Sequence, residues 1–207
     1  MIATRRLLLP VALVLVGAAS ARLFAEDLDP LKLFDSAKAS CQEKRYGKCL
    51  ADLQLLVGEV GRLRTDSMKP LLPKPPEGWT ADEAEAASNG GAFMFGAGSQ
   101  VKREYKSGDS KTCRMTLSTD VGAIMSGWTM LLSNPAFLGE GKRIVTIKGR
   151  KGLLDWEKGA DHGSLMLQLG VPASMIQLEA SGVTDKEIQD VLAGALDLDA
   201  IEKALTN

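Results

Sequence analysis

The chain has 207 residues, of which 45% are hydrophobic, 25% are charged and 5% are aromatic. This composition is near the average for globular proteins and excludes intrinsic disorder, collagen and a membrane protein with many spans. The 25 basic and 26 acidic side chains give a net charge of −1, so nothing global attracts nucleic acid, and one histidine with three cysteines leaves few ligands for zinc.

Residues 1–21 have the three parts of an export signal. Arg5 and Arg6 form a basic start, residues 7–19 are apolar, and residues 19–21 read Ala-Ser-Ala, which is a small-residue cleavage site. The apolar run is shorter than the roughly 20 residues that span a bilayer. The sequence therefore predicts cleavage near Ala21, a mature chain with no stable membrane span, and a location in a bacterial periplasm. A retained membrane anchor is the less favoured alternative.

Residues 22–68 are predicted to form a small helical hairpin. Asp29 and Pro30 supply an N-cap and a first-turn proline for the first helix. One face of that helix carries Leu31, Phe34, Lys38 and Cys41. After a break at Tyr46-Gly47, a second amphipathic helix carries Leu50, Leu53, Val57, Val60 and Leu63. Two short helices joined by a tight turn form an antiparallel pair.

Cys41 and Cys49 lie at nearly equal distances on either side of Arg45, so they should face each other across the hairpin. In an oxidising compartment this arrangement predicts a disulfide, which is a structural one because the spacing differs from the redox-active C-x-x-C pattern. Closing so short a loop stabilises the hairpin by about 2–3 kcal/mol. Two separate thiols, or a catalytic pair, are the less favoured alternatives.

Residues 69–78 read KPLLPKPPEG, and their four prolines favour extended polyproline II structure. This segment is the predicted linker between two domains. Residues 79–207 are then predicted to form an α+β sandwich domain.

Alternating apolar and polar residues predict the strands of this larger domain. Residues 99–106 and 111–119 form one predicted hairpin, and residues 142–150, 164–170 and 174–181 form a predicted meander. One amphipathic helix is predicted over residues 120–134, with Trp128 in its apolar stripe, and another begins at the capping box that Thr184 opens. The fold class is therefore α+β, an antiparallel sheet of about five to seven strands packed with two or three helices and preceded by the small helical hairpin.

Four features together resemble an uncharacterised family of exported proteobacterial proteins. They are the export signal, the helical hairpin, the segment LLPKPPEGW and the strand pair SQVKREYKSGDSKTCRMTLSTD. The larger domain is also distantly similar in layout to the PsbP-like α/β/α sandwich. This resemblance implies a non-enzymatic accessory or partner-binding protein, and it carries over no individual site residue.

Two residues are candidates for catalysis. His162 follows Asp161 and could act as a general base with Asp161 or Asp155, although a solvated loop histidine is the favoured interpretation. Cys113 with His162 could form a nucleophile pair. Cys113 lies on the core-facing side of its predicted strand, however, so a buried free thiol is favoured.

Methionines and carboxylates provide two further hypotheses. The larger domain contains Met94, Met115, Met125, Met130, Met166 and Met175. Thioethers bind Cu(I), but no M-x-x-M cluster is present and core filling is favoured. The acidic cluster of Asp82, Glu83 and Glu85 is better explained as a solvated segment than as a hydrolytic site.

Basic residues are concentrated between residues 99 and 151, a stretch that contains ten basic and four acidic side chains. If the strands that carry them share a face, this face would suit an anionic polymer, lipid headgroups or an acidic protein. The candidate residues for an anionic partner are Lys102, Arg103, Arg114, Lys148 and Arg150. A solvated, lysine-rich sheet face is the favoured alternative. Nucleic acid is disfavoured by the export signal and the few aromatic residues.

The leading hypothesis is an exported, non-enzymatic accessory or binding protein of the periplasm. It would act through a protein partner or a small anionic ligand, with no cofactor, no metal and no nucleic acid. The alternatives are a periplasmic hydrolase whose site is not visible in the sequence, and methionine-based copper handling.

The predicted disulfide leads to a measurement on the oxidised protein. Thiol titration of the unfolded, oxidised chain should detect one free cysteine, Cys113, because Cys41 and Cys49 are joined. Three reactive thiols would contradict the disulfide.

Overall fold

The structure is a computed structural model that describes residues 29–86, 98–122, 127, 133–134 and 138–206. It contains two compact units, and the division between them lies between Leu56 and Val57. The predicted export signal, Met94 and most of the predicted helix at 120–134, including Trp128, lie outside the described residues.

The first unit contains the predicted helical hairpin. Helix α1 covers Pro30–Gln42, and helix α2 covers Tyr46–Met68, so α2 continues past the division between the units. The Asp29 side chain accepts a hydrogen bond from the Leu31 backbone N–H (2.9 Å) and caps α1, as the sequence predicts. The structure also contains the predicted disulfide between Cys41 and Cys49, whose Cα atoms are 5.3 Å apart.

A tight turn at residues 43–45 joins the two helices. The Arg45 N–H donates to the Ser40 carbonyl (2.8 Å), and Lys44 adopts a left-handed conformation with φ of 60°. A bond that reaches back five residues beside a left-handed residue is a common way to end a helix. This turn reverses the chain, so α2 runs antiparallel to α1 and brings the two cysteines together.

The second unit contains one antiparallel sheet, which confirms the α+β class. The described strands are β1 (Thr80–Ala81), β2 (Glu85–Ala86), β3 (Gln100–Ser107), β4 (Lys111–Ser118), β5 (Lys142–Ile147), β6 (Arg150–Asp155), β7 (His162–Gln168) and β8 (Met175–Ser181). Their order across the sheet is β1-β3-β4-β8-β7-β6-β5, and β2 pairs with β3. Strands β5 to β8 therefore form a meander.

The predicted strand at residues 142–150 is wrong in its extent, because the chain turns within it. Strands β5 and β6 are joined at Lys148-Gly149, where the φ angles are 47° and 79°. Two left-handed residues form the two-residue turn that Asn-Gly usually signals. Here the Lys148 side chain instead donates from Nζ to the Leu196 carbonyl (2.7 Å), which ties the turn to the C-terminal segment.

Helical segments follow the last strand. Helix α3 (Asp185–Glu187) continues into a π-helical turn (Ile188–Leu192) and a 3₁₀ turn (Ala193–Ala195), and helix α4 covers Leu198–Thr206. The Thr184 hydroxyl accepts a hydrogen bond from the Glu187 N–H (3.1 Å), which confirms the predicted cap.

These segments pack on one face of the sheet, here called the inner face. Along β4 the side chains of Cys113, Met115 and Leu117 are buried, as the alternating pattern predicts, while Thr112 and Arg114 are exposed. The core of the second unit includes Tyr105, Leu165, Ile176, Leu178, Ile188, Leu192, Leu196 and Ile201. The opposite face, here called the outer sheet face, carries the smaller apolar clusters formed by Val121, Leu138, Ile144, Leu153, Met166 and Met175.

The proline-rich segment belongs to this second unit and is held against β3. A 3₁₀ turn covers Lys69–Leu71, and Leu72 is buried in the core. The Pro73 carbonyl accepts hydrogen bonds from Arg103 Nη1 (2.9 Å) and from the Tyr105 hydroxyl (2.8 Å). Burial raises the pKa of Tyr105 from its ordinary value of 10 to about 12, which extends the pH range over which this hydroxyl is a donor.

Gly163 in β7 leaves space for the Trp156 ring. A Cβ atom at this position would lie 2.4 Å from ring carbon Cε3 of Trp156 and 2.5 Å from the Asp155 carbonyl oxygen. The ring is held in place because its Nε1–H donates to the Ala160 carbonyl (3.0 Å). Neither the backbone oxygen nor the bonded indole can move away at low cost.

Gly163→Ala should therefore lower the free energy of unfolding by about 1–3 kcal/mol, as overpacking usually does. Gly58→Ala in α2 is the matched control, since a Cβ there meets no atom within 4 Å. That variant should be neutral or stabilising by up to about 1 kcal/mol, because alanine favours helix. Chemical denaturation of both variants measures the difference. Equal stabilities would contradict the close packing at Gly163.

Candidate functional site

The contact between the two hairpin helices is small and partly polar. Ala37 and Ser40 of α1 and Cys49 and Asp52 of α2 are buried. Asp52 is only 8% exposed, and its Oδ2 accepts hydrogen bonds from Lys48 Nζ (2.8 Å) and Ser36 Oγ (2.8 Å). The bond from Lys48, followed by that from Ser36, holds the pKa of Asp52 below its usual value. A disulfide and a buried carboxylate thus occupy the place where most helical hairpins have apolar packing.

Most of the described large apolar side chains of this unit face solvent, whereas Leu33 and Leu56 are half-buried. Leu31 and Phe34 of α1 are 75% and 53% exposed, and Tyr46, Leu50 and Leu53 of α2 are 65%, 59% and 39% exposed. We call these five residues the outer face of the hairpin. In the second unit, Val57, Val60 and Leu63 are exposed as well.

Helix geometry places these five residues on one side of the hairpin. Phe34 follows the half-buried Leu33, Leu50 follows the buried Cys49, and Leu53 follows the buried Asp52. One residue rotates a side chain by about 100° around the helix axis. In each helix, the residue that follows one facing the partner helix points sideways. Because the two helices run antiparallel, this sideways direction is the same for both, so Phe34, Leu50 and Leu53 lie on the same side of the pair. Leu31 lies one turn before Phe34, and Tyr46 lies one turn before Leu50, so both belong to the same side.

The α2 part of the outer face carries no charge. Gly47, Ala51 and Gln54 flank its apolar residues, and a Cβ atom on Gly47 would meet nothing within 4 Å. The charged residues Lys48 and Asp52 lie toward α1, where they bond each other. The outer face is therefore apolar, neutral along α2 and open.

The cationic residues predicted for an anionic partner lie on different faces of the sheet. Lys102 and Arg114 project from the outer sheet face, where Lys102 pairs with Glu85 (3.6 Å) and Arg114 with Glu104 (2.9 Å). Arg114 also lies 3.7 Å from Glu179. Acidic neighbours thus offset the positive charge on this face.

The remaining three candidates are occupied by contacts within the second unit. Arg103 on the inner face donates to the Leu72 and Pro73 carbonyls, and Lys148 donates to the Leu196 carbonyl. Arg150 donates to both carboxylate oxygens of Glu202 (2.7 Å each) and to Asp199 (2.7 Å). The five residues form no common cationic surface.

Cys113 and His162 line the same open concavity, of about 580 Å³. Burial raises the pKa of the Cys113 thiol to about 12, so the nucleophilic thiolate is scarce at neutral pH. The His162 side chain is 74% exposed, and its Nδ1 lies 3.2 Å from Asp161 Oδ1. Asp155, the other predicted partner of His162, pairs with Lys142 (3.1 Å).

The acidic and methionine candidates are also dispersed. Asp82 pairs with Lys106 (2.8 Å), and Met115 lies in the inner core. Met166 and Met175 pack with Val121 on the outer sheet face. Among the residues that the structure describes, no group of three His, Cys, Asp or Glu side chains is placed to hold a metal ion.

Comparison with known proteins adds no relative to this description. No family model, curated protein or solved structure matches the chain. Within the described ranges, none of the helices has the length and apolar character that crossing a membrane requires.

Glu202 holds α4 against the sheet, and its ionisation should affect stability. In addition to the hydrogen bonds from Arg150, Glu202 Oε1 accepts a hydrogen bond from the Gly170 N–H (2.7 Å). The bonds from Arg150 lower the pKa of Glu202 below its ordinary value of 4.5. A carboxyl whose pKa is lower in the folded chain contributes stability above the unfolded pKa and loses it as the pH falls through the folded value.

Glu202→Gln should therefore lower the free energy of unfolding at pH 7 by about 1 kcal/mol, and the difference from the unaltered chain should shrink below about pH 4.5. Asp199→Asn is the control, because this carboxylate is 88% exposed and accepts only one bond from Arg150. Denaturation curves between pH 3 and 7 measure both variants. A difference that does not change with pH would contradict the role of Glu202.

Proposed function

We propose that the protein is an exported, non-enzymatic binding protein of the periplasm that acts through a protein partner docked on the outer face of the hairpin. The observation that carries this proposal is the arrangement of the two helices. The buried contact between them is small and partly polar, and most of their large apolar side chains are exposed. Such a hairpin gains little from its own interior, so its apolar side chains have a role only when another surface covers them.

The size of the outer face supports this role. The exposed parts of its five side chains amount to roughly 600 Å², which is at the upper end of the largest apolar patch on a typical monomer. Burying this area is worth on the order of 15 kcal/mol before the entropy cost of association, which is about 4–15 kcal/mol. The area of this face is therefore sufficient to bind a protein partner, and it is far larger than the binding site of an inorganic anion.

The disulfide supports export. Disulfides persist in oxidising compartments such as the periplasm and the cell exterior, and they are rare in the cytosol. The Cys41–Cys49 bond therefore suits a chain that begins with the basic, apolar and small-residue parts of an export signal.

An anionic ligand on the sheet has less support than a protein partner. Each of the five cationic candidates already contacts a carboxylate or a backbone carbonyl within the second unit. An incoming anion would have to compete with these partners. Catalysis by Cys113 is disfavoured by the raised pKa of its thiol.

Site-specific photo-crosslinking in cells that export the protein tests the proposal. A photo-reactive phenylalanine analogue in place of Leu50 should form a covalent adduct with a protein, because Leu50 lies on the outer face. Leu55 is the matched control position. It is 51% exposed on the same helix but is rotated by about 140° from Leu50.

We expect a discrete protein adduct at position 50 and none at position 55. Gel electrophoresis and mass spectrometry of the adduct identify the crosslinked chain. The absence of any adduct at position 50, or equal adducts at both positions, would contradict docking on the outer face.

A further inference from the structure

We propose that the partner on the outer face is a second copy of this chain, so that two hairpins pair to form a symmetric four-helix arrangement. This inference rests on the proposed function, because it names the occupant of the same face. Its first support is that the described part of the hairpin has no large apolar core of its own, since the residues buried between its helices are Ala37, Ser40, Cys49 and Asp52. Pairing two hairpins through their outer faces supplies the missing core.

The outer face requires a neutral, apolar partner surface, and the outer face of a second copy is such a surface. Leu50 and Leu53 have the uncharged residues Gly47, Gln54 and Val57 one turn away, so a charged side chain brought against them would lose water and gain no counter-charge. The face therefore requires a neutral apolar surface. The spacing of Tyr46, Leu50 and Leu53 by four and three along α2 also matches a helix lying alongside. A second α2 satisfies both conditions.

A small residue on α2 allows such a helix to approach closely. Gly47 lies one turn before Leu50 and next to Tyr46, and a Cβ atom at this position would meet only open space. Helix axes approach to about 8–10 Å, and small side chains at the contact favour the shorter distance. Lys38 of α1 follows Phe34 by one turn, and its aliphatic stem can cover the edge of the pair with the ammonium group in water.

The area is sufficient for a stable dimer. A two-fold interface uses the same patch on both copies, so each residue of the outer face contributes twice. About 600 Å² from each copy gives roughly 1,200 Å² in total, which is the lower limit of standard specific interfaces. Two antiparallel helical hairpins that pack in this way form a four-helix bundle with short connections within each hairpin.

Sedimentation analysis of the purified, oxidised mature chain tests this proposal. We expect twice the mass of a single chain, with dissociation on dilution through the micromolar range. Leu50→Glu should raise the dissociation constant by roughly 30-fold or more, because the charge lies at the centre of the interface. Leu55→Glu introduces the same charge at a comparably exposed position, 51% against 59%, on the other side of α2 and should leave the dimer intact.

A second substitution tests the same face independently, in case Leu50→Glu prevents folding. Phe34→Glu on α1 changes the same face from the other helix and should also dissociate the dimer. Far-ultraviolet circular dichroism should show unchanged helix content in all three variants, since the substituted side chains are exposed.

The outcomes separate this inference from the proposed function. A chain that is monomeric at about 100 µM and crosslinks at position 50 to a different protein would overturn the second copy and leave docking on the outer face standing. A monomeric chain with no adduct at position 50 would overturn both. A dimer that resists Leu50→Glu and Phe34→Glu, or that Leu55→Glu dissociates equally, would place the interface elsewhere and overturn the inference.

Discussion

The Cys41–Cys49 disulfide is the constraint on which the functional interpretation of this structure depends. Its geometry requires Cys49 to face α1, and helix periodicity then turns Asp52 toward α1 as well. Leu50 and Leu53 follow these two residues by one position and are consequently turned outward. The covalent bond also limits the loss of chain entropy on folding. A small, partly polar interhelical contact thus accompanies the disulfide, and the apolar residues of the outer face are exposed.

The second unit shows the opposite arrangement of apolar and charged groups. Its sheet buries Met115, Leu165 and Ile176 against the C-terminal helical segments. Several of its cations are paired locally, as Arg150 is with Glu202 and Arg114 with Glu104. Exposed ion pairs contribute little stability, yet they leave little unpaired charge to attract a ligand. The contrast between the units explains why we propose binding by the hairpin rather than by the sheet.

Several elements could be predicted because their signals are local. The Asp29 cap, the Thr184 cap and the alternation along β4 each depend on residues a few positions apart. Lys148-Gly149 was missed because it lacks the Asn-Gly pattern of a two-residue turn. Its left-handed lysine is held by the Leu196 carbonyl, 48 residues later in the chain. The residues next to Lys148 in the sequence give no indication of a contact with a residue so far along the chain.

The sequence by itself determined the α+β class, the helical hairpin and its cysteine pair, because periodicity and turn residues act over a few positions. It also showed an apolar stripe on α2 but not the surface that the stripe faces. Only the tertiary structure showed that the Asp52 carboxylate is buried against α1 and accepts a hydrogen bond from Ser36. It likewise decided that Lys102 and Arg103 belong to opposite faces and have different partners. Both outcomes depend on contacts between distant residues, which set the rotation of a helix and the neighbours of a strand.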